Sequence, residues 1–170
     1  IFDYGGPNIG KSMHVGHLRP LNIGRALYNM YKISGNECIS DIHLGDWGVP
    51  ISQMLTFCYE NNYKIEDLKV EDLQKIYPEA SKHSSENQEF KNKVNENLSK
   101  LNNGNEKLLS DWKIASELTI QNIKKILNQL DHEFDLFYGE SSVVGLIPEM
   151  VEDLKKNNFV RSDDGALVSN

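Results

Sequence analysis

Two histidines three residues apart, His14 and His17, follow closely on Lys11 and Asn8 in the run Pro7-Asn8-Ile9-Gly10-Lys11-Ser12-Met13-His14-Val15-Gly16-His17. Two imidazoles, an ammonium and a carboxamide are all hydrogen-bond donors, and the lysine adds a positive charge. Histidines at i, i+3 share one helix face. Placed over a helix N-terminus, they can donate to phosphate oxygens as charge builds in a transition state. The same pair could instead be a surface pair or metal ligands. A metal centre would need a third histidine, cysteine or carboxylate at suitable spacing, and none is present.

The flanking pattern supplies such an N-terminus. Ile1-Phe2-Asp3-Tyr4 is a short apolar run that reads as a buried strand carrying one acid, and Gly5 to Met13 is loop. From Val15 to Ile33, Leu18, Leu21, Ile23, Leu27, Met30 and Tyr31 recur near the helical period, with Pro20 near the start and Gly35-Asn36 as a stop. Cys38 to Ile42 reads as a second parallel strand. Strand, Gly-rich turn and helix together aim free backbone N–H groups and the positive end of a helix dipole above the sheet, a place that favours phosphate.

Gly5-x-x-x-x-Gly10-Lys11-Ser12 also matches the P-loop pattern, which would make the chain an NTPase with Lys11 on phosphate and Ser12 on Mg²⁺. That reading puts Gly16 inside the second helical turn, where glycine costs about 1 kcal/mol relative to alanine. It also needs a metal-holding aspartate after an apolar strand, for which Ser40-Asp41-Ile42 is a poor version. The two readings differ in where the first helix starts: at Gly10 for the P-loop, near Val15 for the histidine pair. A third possibility is a nucleotide-binding module without catalysis.

The remainder must hold this turn in place. His43-Leu44-Gly45-Asp46-Trp47-Gly48 follows the second strand at its carboxyl end, where ligands bind in open parallel sheets, although Gly-Asp-x-Gly is also ordinary turn chemistry. A helix is expected from Ile51 to Tyr59. Residues 61–131 turn polar, with apolar positions at helical spacing: Leu68, Leu73 and Ile76, then Phe90, Val94, Leu98 and Leu101, a break at Gly104, and Leu108 to Leu130. This is a helical insertion with a solvated charged face, its asparagine and lysine richness read as bias and Trp112 as core. Phe134-Asp135-Leu136-Phe137 reads as a strand, Ile147 to Lys156 as a helix with Pro148 in its first turn, and Phe159 to Arg161 with Ala166 to Val168 as a hairpin around Ser162-Asp163-Asp164-Gly165.

The expected fold class is therefore α/β: the first half of a Rossmann-like parallel-sheet nucleotide-binding fold with a largely helical insertion. Residues 1–60 form the first part, and 61–170 the insertion with the following strand, helix and hairpin. The 170 residues suffice for a sizeable core. A net charge of −7 gives no global attraction to nucleic acid, which leaves a local patch or other parts of a longer protein for that role. Cys38 and Cys58, both in apolar patterns without C-x-x-C spacing, read as buried thiols in a reducing, cytoplasmic compartment. No run is long and apolar enough for a membrane-spanning helix. Both ends fall in strand-like runs, so the chain is expected to be a piece of a larger protein.

Three blocks carry a resemblance to the arginyl-tRNA synthetases, a class I family. Gly6-Pro7-Asn8-Ile9-Gly10-Lys11-Ser12-Met13-His14-Val15-Gly16-His17-Leu18-Arg19 resembles that family's Ser-Pro-Asn-x-Ala-Lys-x-x-His-Val-Gly-His-Leu-Arg; residues 43–48 resemble its Asn-His-x-Gly-Asp-Trp-Gly; residues 134–141 resemble the strand and Gly-Glu-Ser turn after its insertion. Gly6, Gly10, Pro20 and Val49-Pro50-Ile51-Ser52 depart from the pattern, the last removing a glutamine. The resemblance implies ATP-dependent activation of L-arginine and its transfer to tRNA-Arg, the tRNA being held mainly by parts outside these residues. It implies that His14, His17 and Lys11 act on phosphates, that Gly16, Gly45 and Asp46 line the ATP site, and that Asn8, Asp3 and His43 hold arginine. Asp3 could equally cap its loop. Mg²⁺ would come with ATP, with no protein metal site. The family's second signature, a Lys-Met-Ser-Lys-Ser-like loop, is absent, so these residues alone are expected to be inactive.

Overall fold

The computed structural model describes residues 1–11, 13–163 and 166–169. Strand β1 (Phe2–Asp3) lies parallel to β2 (Ser40–Asp41), with Phe2 opposite Ser40 and Asp3 opposite Asp41. Helix α1 (Val15–Ile33) connects them. The expected strand Cys38 to Ile42 is thus shorter than its apolar pattern, and the expected strand at Phe134 to Phe137 pairs only through single bridges, Leu136 beside Asp41 and Gly139 beside Leu44. Side chains replace part of the missing ladder. The Asp135 carboxylate accepts from the Ser40 amide (2.7 Å) and hydroxyl (2.8 Å), and the Asp135 amide donates back to Ser40 Oγ (3.1 Å). These bonds to its charged form hold the Asp135 carboxyl below the usual carboxylate range.

The parallel ladder continues past β1. The Gly45 amide donates to Pro7 O (3.1 Å) and the Ile9 amide to Gly45 O (3.0 Å), which brings Asn8 beside Gly45. The two motif loops therefore lie side by side at the carboxyl ends of the strands, where an open parallel sheet binds its ligands.

Helix α2 (Val49–Glu60) begins with Pro50 in its first turn. Helices α3 (Val70–Glu86), α4 (Gln88–Asn102) and α5 (Glu106–Gln129) follow, α3 preceded by a 3₁₀ turn at Ile65–Asp67. The asparagines here do structural work that composition hid. Asn87 and Asn105 cap α4 and α5 by accepting from the amides of Phe90 and Leu108, each at 3.1 Å, and Asn97 donates to Thr56 Oγ1 at 2.9 Å. Among the departures from the family pattern, Ser52 is buried and donates to Val94 O at 2.6 Å, joining α2 to α4, and Pro50 stands at the start of α2.

One core cluster runs across both parts of the chain: Ile9, Leu21, Ile42 and Leu44 pack with Met54, Leu55, Leu73, Ile76, Ile123 and Leu127. The apolar stripe expected on α1 is corrected. Leu21, Gly24 and Tyr28 are the buried residues, while Ile23, Leu27, Met30 and Tyr31 are exposed. Gly24 lies on the buried face, where Tyr4 fills the space its side chain would take. Cys58 is buried, its thiol pushed up to about 12 by burial, but Cys38 is only half-buried. A 3₁₀ segment (Glu140–Leu146), α6 (Ile147–Lys156) and an antiparallel pair, β3 (Val160–Asp163) and β4 (Ala166–Ser169), complete the chain. Asp164 and Gly165 of the expected turn lie outside the described residues. Among the described residues no helix is long and apolar enough to cross a membrane.

Candidate active site at the carboxyl ends of the parallel ladder

Helix α1 starts at Val15, with His14 as its N-cap. The first four amides of a helix lack intrahelical partners, and here the two histidines supply acceptors. The His14 ring accepts from the Gly16 amide through Nδ1 (3.1 Å), and the His17 ring accepts from the His14 amide through Nδ1 (3.1 Å). This is a capping box made of imidazoles rather than of a hydroxyl and a carboxylate. The rings lie 4.2 Å apart between centroids.

The cap fixes the position of both rings, with each Nδ1 turned to the backbone. A ring that accepts at Nδ1 carries its proton on Nε2 in the neutral form, so each neutral histidine keeps one N–H to donate. Burial pulls the His17 pKa below its ordinary value, His14's backbone pulls it partly back, and the charge of a protonated His14 would lower it further. The second contact of His17 Nδ1, to His14 O at 3.3 Å, is the one a protonated ring would use.

A helix start at Val15 removes the P-loop reading. Gly10 and Lys11 stand in a turn ahead of the helix, with Gly10 at a φ of +81°. Ser12, the remaining P-loop position, lies outside the described residues. Lys11 reaches a cavity of about 240 Å³ whose walls also include His14, Gly10 and Tyr77.

The other sequence-predicted residues divide into two groups. Asn8 is exposed and lies across Gly45, and any side chain on Gly45 would occupy the space of the Asn8 carboxamide. Asp3 is exposed at the end of β1 and accepts no hydrogen bond among the described residues, so the loop-capping alternative has no bond to support it. Its in-register neighbour is Asp41, whose Oδ1 is buried without a hydrogen-bond partner among the described residues. His43 Nδ1 lies 3.9 Å from Asp41 Oδ2. Asp41 entered the sequence reading only as a weak P-loop aspartate. Its membership of this group depends on strand register, which two-residue strands do not advertise.

Asp46 stands apart. Its side chain is buried, and both carboxylate oxygens accept from Ser141, Oδ1 from the amide (2.8 Å) and Oδ2 from the hydroxyl (2.6 Å). Its carbonyl accepts from Trp112 Nε1 at 2.7 Å, and Trp47 Nε1 donates to Asn102 Oδ1 at 3.0 Å. The Gly-Asp-Trp loop is therefore tied to α4, α5 and the Gly-Glu-Ser turn. Asp46 presents no free carboxylate to a ligand in this arrangement, and its evident effect is to hold the loop that carries His43 and Gly45.

A crossover helix capped by a His-x-Gly-His pair, at the carboxyl ends of a parallel ladder, is the layout of the class I aminoacyl-tRNA synthetase catalytic fold. The chain belongs to the class I tRNA synthetase (R) catalytic-domain family, whose model matches residues 1–170. It is 34% identical over 182 residues to the arginine–tRNA ligase of Francisella tularensis subsp. holarctica, covering 99% of this chain and 31% of that protein. It is 32% identical to the arginine–tRNA ligase of Alkaliphilus oremlandii over the same share of each. The chain thus spans about a third of the length of these relatives. Among solved structures it is similar to the arginyl-tRNA synthetase of Plasmodium falciparum, with a TM-score of 0.81 and 26% identity over 99% of this chain and 28% of that one. The Thermus thermophilus arginyl-tRNA synthetase shares the fold, with a TM-score of 0.67 and 20% identity over 98% of this chain and 29% of that one.

Proposed function

We propose that this chain forms the part of an arginine–tRNA ligase that holds ATP and arginine for adenylate formation. The observation that carries the reading is the reciprocal imidazole cap, because it fixes both rings at the start of α1 with each Nε2 outside the cap. In the first step an oxygen of the arginine carboxylate bonds to the α-phosphorus of ATP. The bond from that phosphorus to the α–β bridging oxygen breaks, and pyrophosphate leaves with the electron pair. In the second step a ribose hydroxyl of the terminal adenosine of tRNA-Arg attacks the activated carbonyl and AMP leaves.

Such a reaction needs positioning and neutralisation of phosphate charge more than acid–base chemistry. His14 and His17 donate to the phosphate oxygens, and the Lys11 ammonium adds charge from the facing side of the cavity. Gly16 lines the ATP site beneath the His14 ring. Asn8, held across Gly45, binds the α-amino and carboxylate groups of arginine. Asp3 offers a carboxylate for the guanidinium, with Asp41 and His43 next to it. Asp46 acts indirectly, by fixing the Gly45 loop. Among the described residues no three His, Cys, Asp or Glu side chains are grouped to hold a metal. Mg²⁺ would come with ATP, on phosphate oxygens and water, where it offsets phosphate charge. A cytoplasmic location fits this role.

Arginine-dependent exchange of pyrophosphate into ATP by the full-length protein, with and without tRNA-Arg, tests the reading. Exchange stimulated by arginine and by no other amino acid supports it. Exchange that ignores arginine in both conditions contradicts it.

A further inference from the structure

The Lys11 side chain is met from outside its own loop. Its Nζ lies over the ring of Tyr77, 4.5 Å from the centroid, and Tyr77 belongs to α3 of the insertion, far away in sequence. The same ring also presses on the preceding residue: a Cβ on Gly10 would lie 2.9 Å from Tyr77 Cδ2. A second insertion helix holds the loop from another direction, since the Gly10 amide donates to Thr119 Oγ1 of α5 at 3.2 Å. Tyr77 also lines both cavities that Lys11 borders, the 240 Å³ one shared with His14 and a neighbouring one of about 570 Å³ that runs along α3 past Ser81.

An ammonium over an aromatic face is attracted by the ring quadrupole. Lysine otherwise has a flexible four-carbon stem and loses much rotamer freedom when its head is fixed. A ring at this distance restricts that freedom before any ligand arrives. We propose that Tyr77 is a positioning residue for Lys11: its ring holds the ammonium at the wall of the His14 cavity, ready for phosphate oxygens. The inference rests on Lys11 serving phosphate as argued above, and it makes the insertion a part of the phosphate site. A β-carbon on Gly10 would press on this ring, in addition to the φ of +81° that favours glycine there.

The test is a double-mutant cycle on ATP–pyrophosphate exchange in the full-length protein. Tyr77→Leu should lower kcat about two- to five-fold, the size expected of one exposed cation–π contact, with the KM for arginine unchanged. Tyr77→Phe, which keeps the π face, should restore most of the loss. In a Lys11→Met background Tyr77→Leu should cost nothing further. Progressive ring fluorination of the phenylalanine introduced by Tyr77→Phe weakens the quadrupole with little change of shape, and should lower kcat stepwise even if Tyr77→Leu folds poorly. An equal loss from Tyr77→Leu with and without Lys11, or no trend with fluorination, overturns the positioning role and leaves the proposed function intact. A Lys11→Met enzyme with full kcat removes the role of Lys11 in the proposed function, and the inference falls with it.

Discussion

The His14 imidazole occupies the space that a side chain on Gly16 would need: a Cβ there would lie 2.8 Å from His14 Cε1 and 2.9 Å from Nδ1. The glycine of the His-x-Gly-His block is thus explained by the cap itself, in addition to any approach of a nucleotide. Only with residue 16 bare can the His14 ring fold back over the helix start and accept from the Gly16 amide.

Gly16→Ala should therefore act mainly through His14. The added methyl forces the ring out of its capping position and turns its Nε2–H away from the site. Loss of a cap costs about 0.5–2 kcal/mol, partly offset by the better helix propensity of alanine. Loss of one preorganised donor costs on the order of 10²-fold in rate. The expected outcome is a small change in Tm with a fall in kcat of at least about tenfold, read by thermal unfolding and pyrophosphate exchange side by side. A Gly16→Ala enzyme with unaltered kcat would show that His14 does not act from its capping position.

Asp3→Asn should weaken arginine and leave ATP binding unchanged. The carboxylate is exposed and accepts no hydrogen bond among the described residues, so it is available to a guanidinium. A charge-assisted pair is worth about 1.5–3 kcal/mol, which predicts roughly a ten- to hundred-fold rise in Kd for arginine by calorimetry. Equal arginine affinity in the mutant would remove Asp3 from the substrate site.

Stability should fall as pH drops from about 7 to 5, and His132 should account for much of the slope. His132 is buried and its Nδ1 has no hydrogen-bond partner among the described residues. Burial pulls its pKa down, and the Arg25 charge lowers it further. The folded state therefore prefers the neutral ring. Above the unfolded value of about 6.5 the ring is neutral in both states, and below it the unfolded chain takes up the proton first, so acid favours unfolding. His17, also shifted down by burial, adds in the same direction. Asp135, held below the usual carboxylate range, contributes stability that is lost only in more acidic solution. Denaturant titrations across this range should show a shallower pH slope for His132→Asn, and an identical slope would contradict the assignment.

Much of this was readable in the sequence because it depends on short-range signals. The start of α1 at Val15 followed from the position of Gly16, and helices Val15–Ile33 and Ile147–Lys156 have the bounds their apolar period and prolines suggest. The rule that parallel strands gather their carboxyl ends places the His43–Gly48 loop beside the His14–His17 turn, and the structure joins it to the loop ahead of that turn, at Asn8. What stayed hidden depends on contacts between distant residues. Asp41 joins Asp3 through strand register, Tyr77 joins Lys11 across the insertion, and Asp46 turns from the ligand side to Ser141. The burial of Leu21, Gly24 and Tyr28 on α1 in place of Ile23, Leu27 and Met30 likewise involves a distant residue, Tyr4, which fits against Gly24.

The role proposed for the capped histidine pair is to act on charge developing at the phosphates. Single-turnover formation of arginyl-adenylate by full-length His17→Ala, compared with the parent enzyme, tests it most directly. The rate constant should fall by about 10²–10³-fold, with the arginine concentration dependence little changed, in a protein whose thermal unfolding remains cooperative. An unchanged rate constant in that folded variant would contradict it.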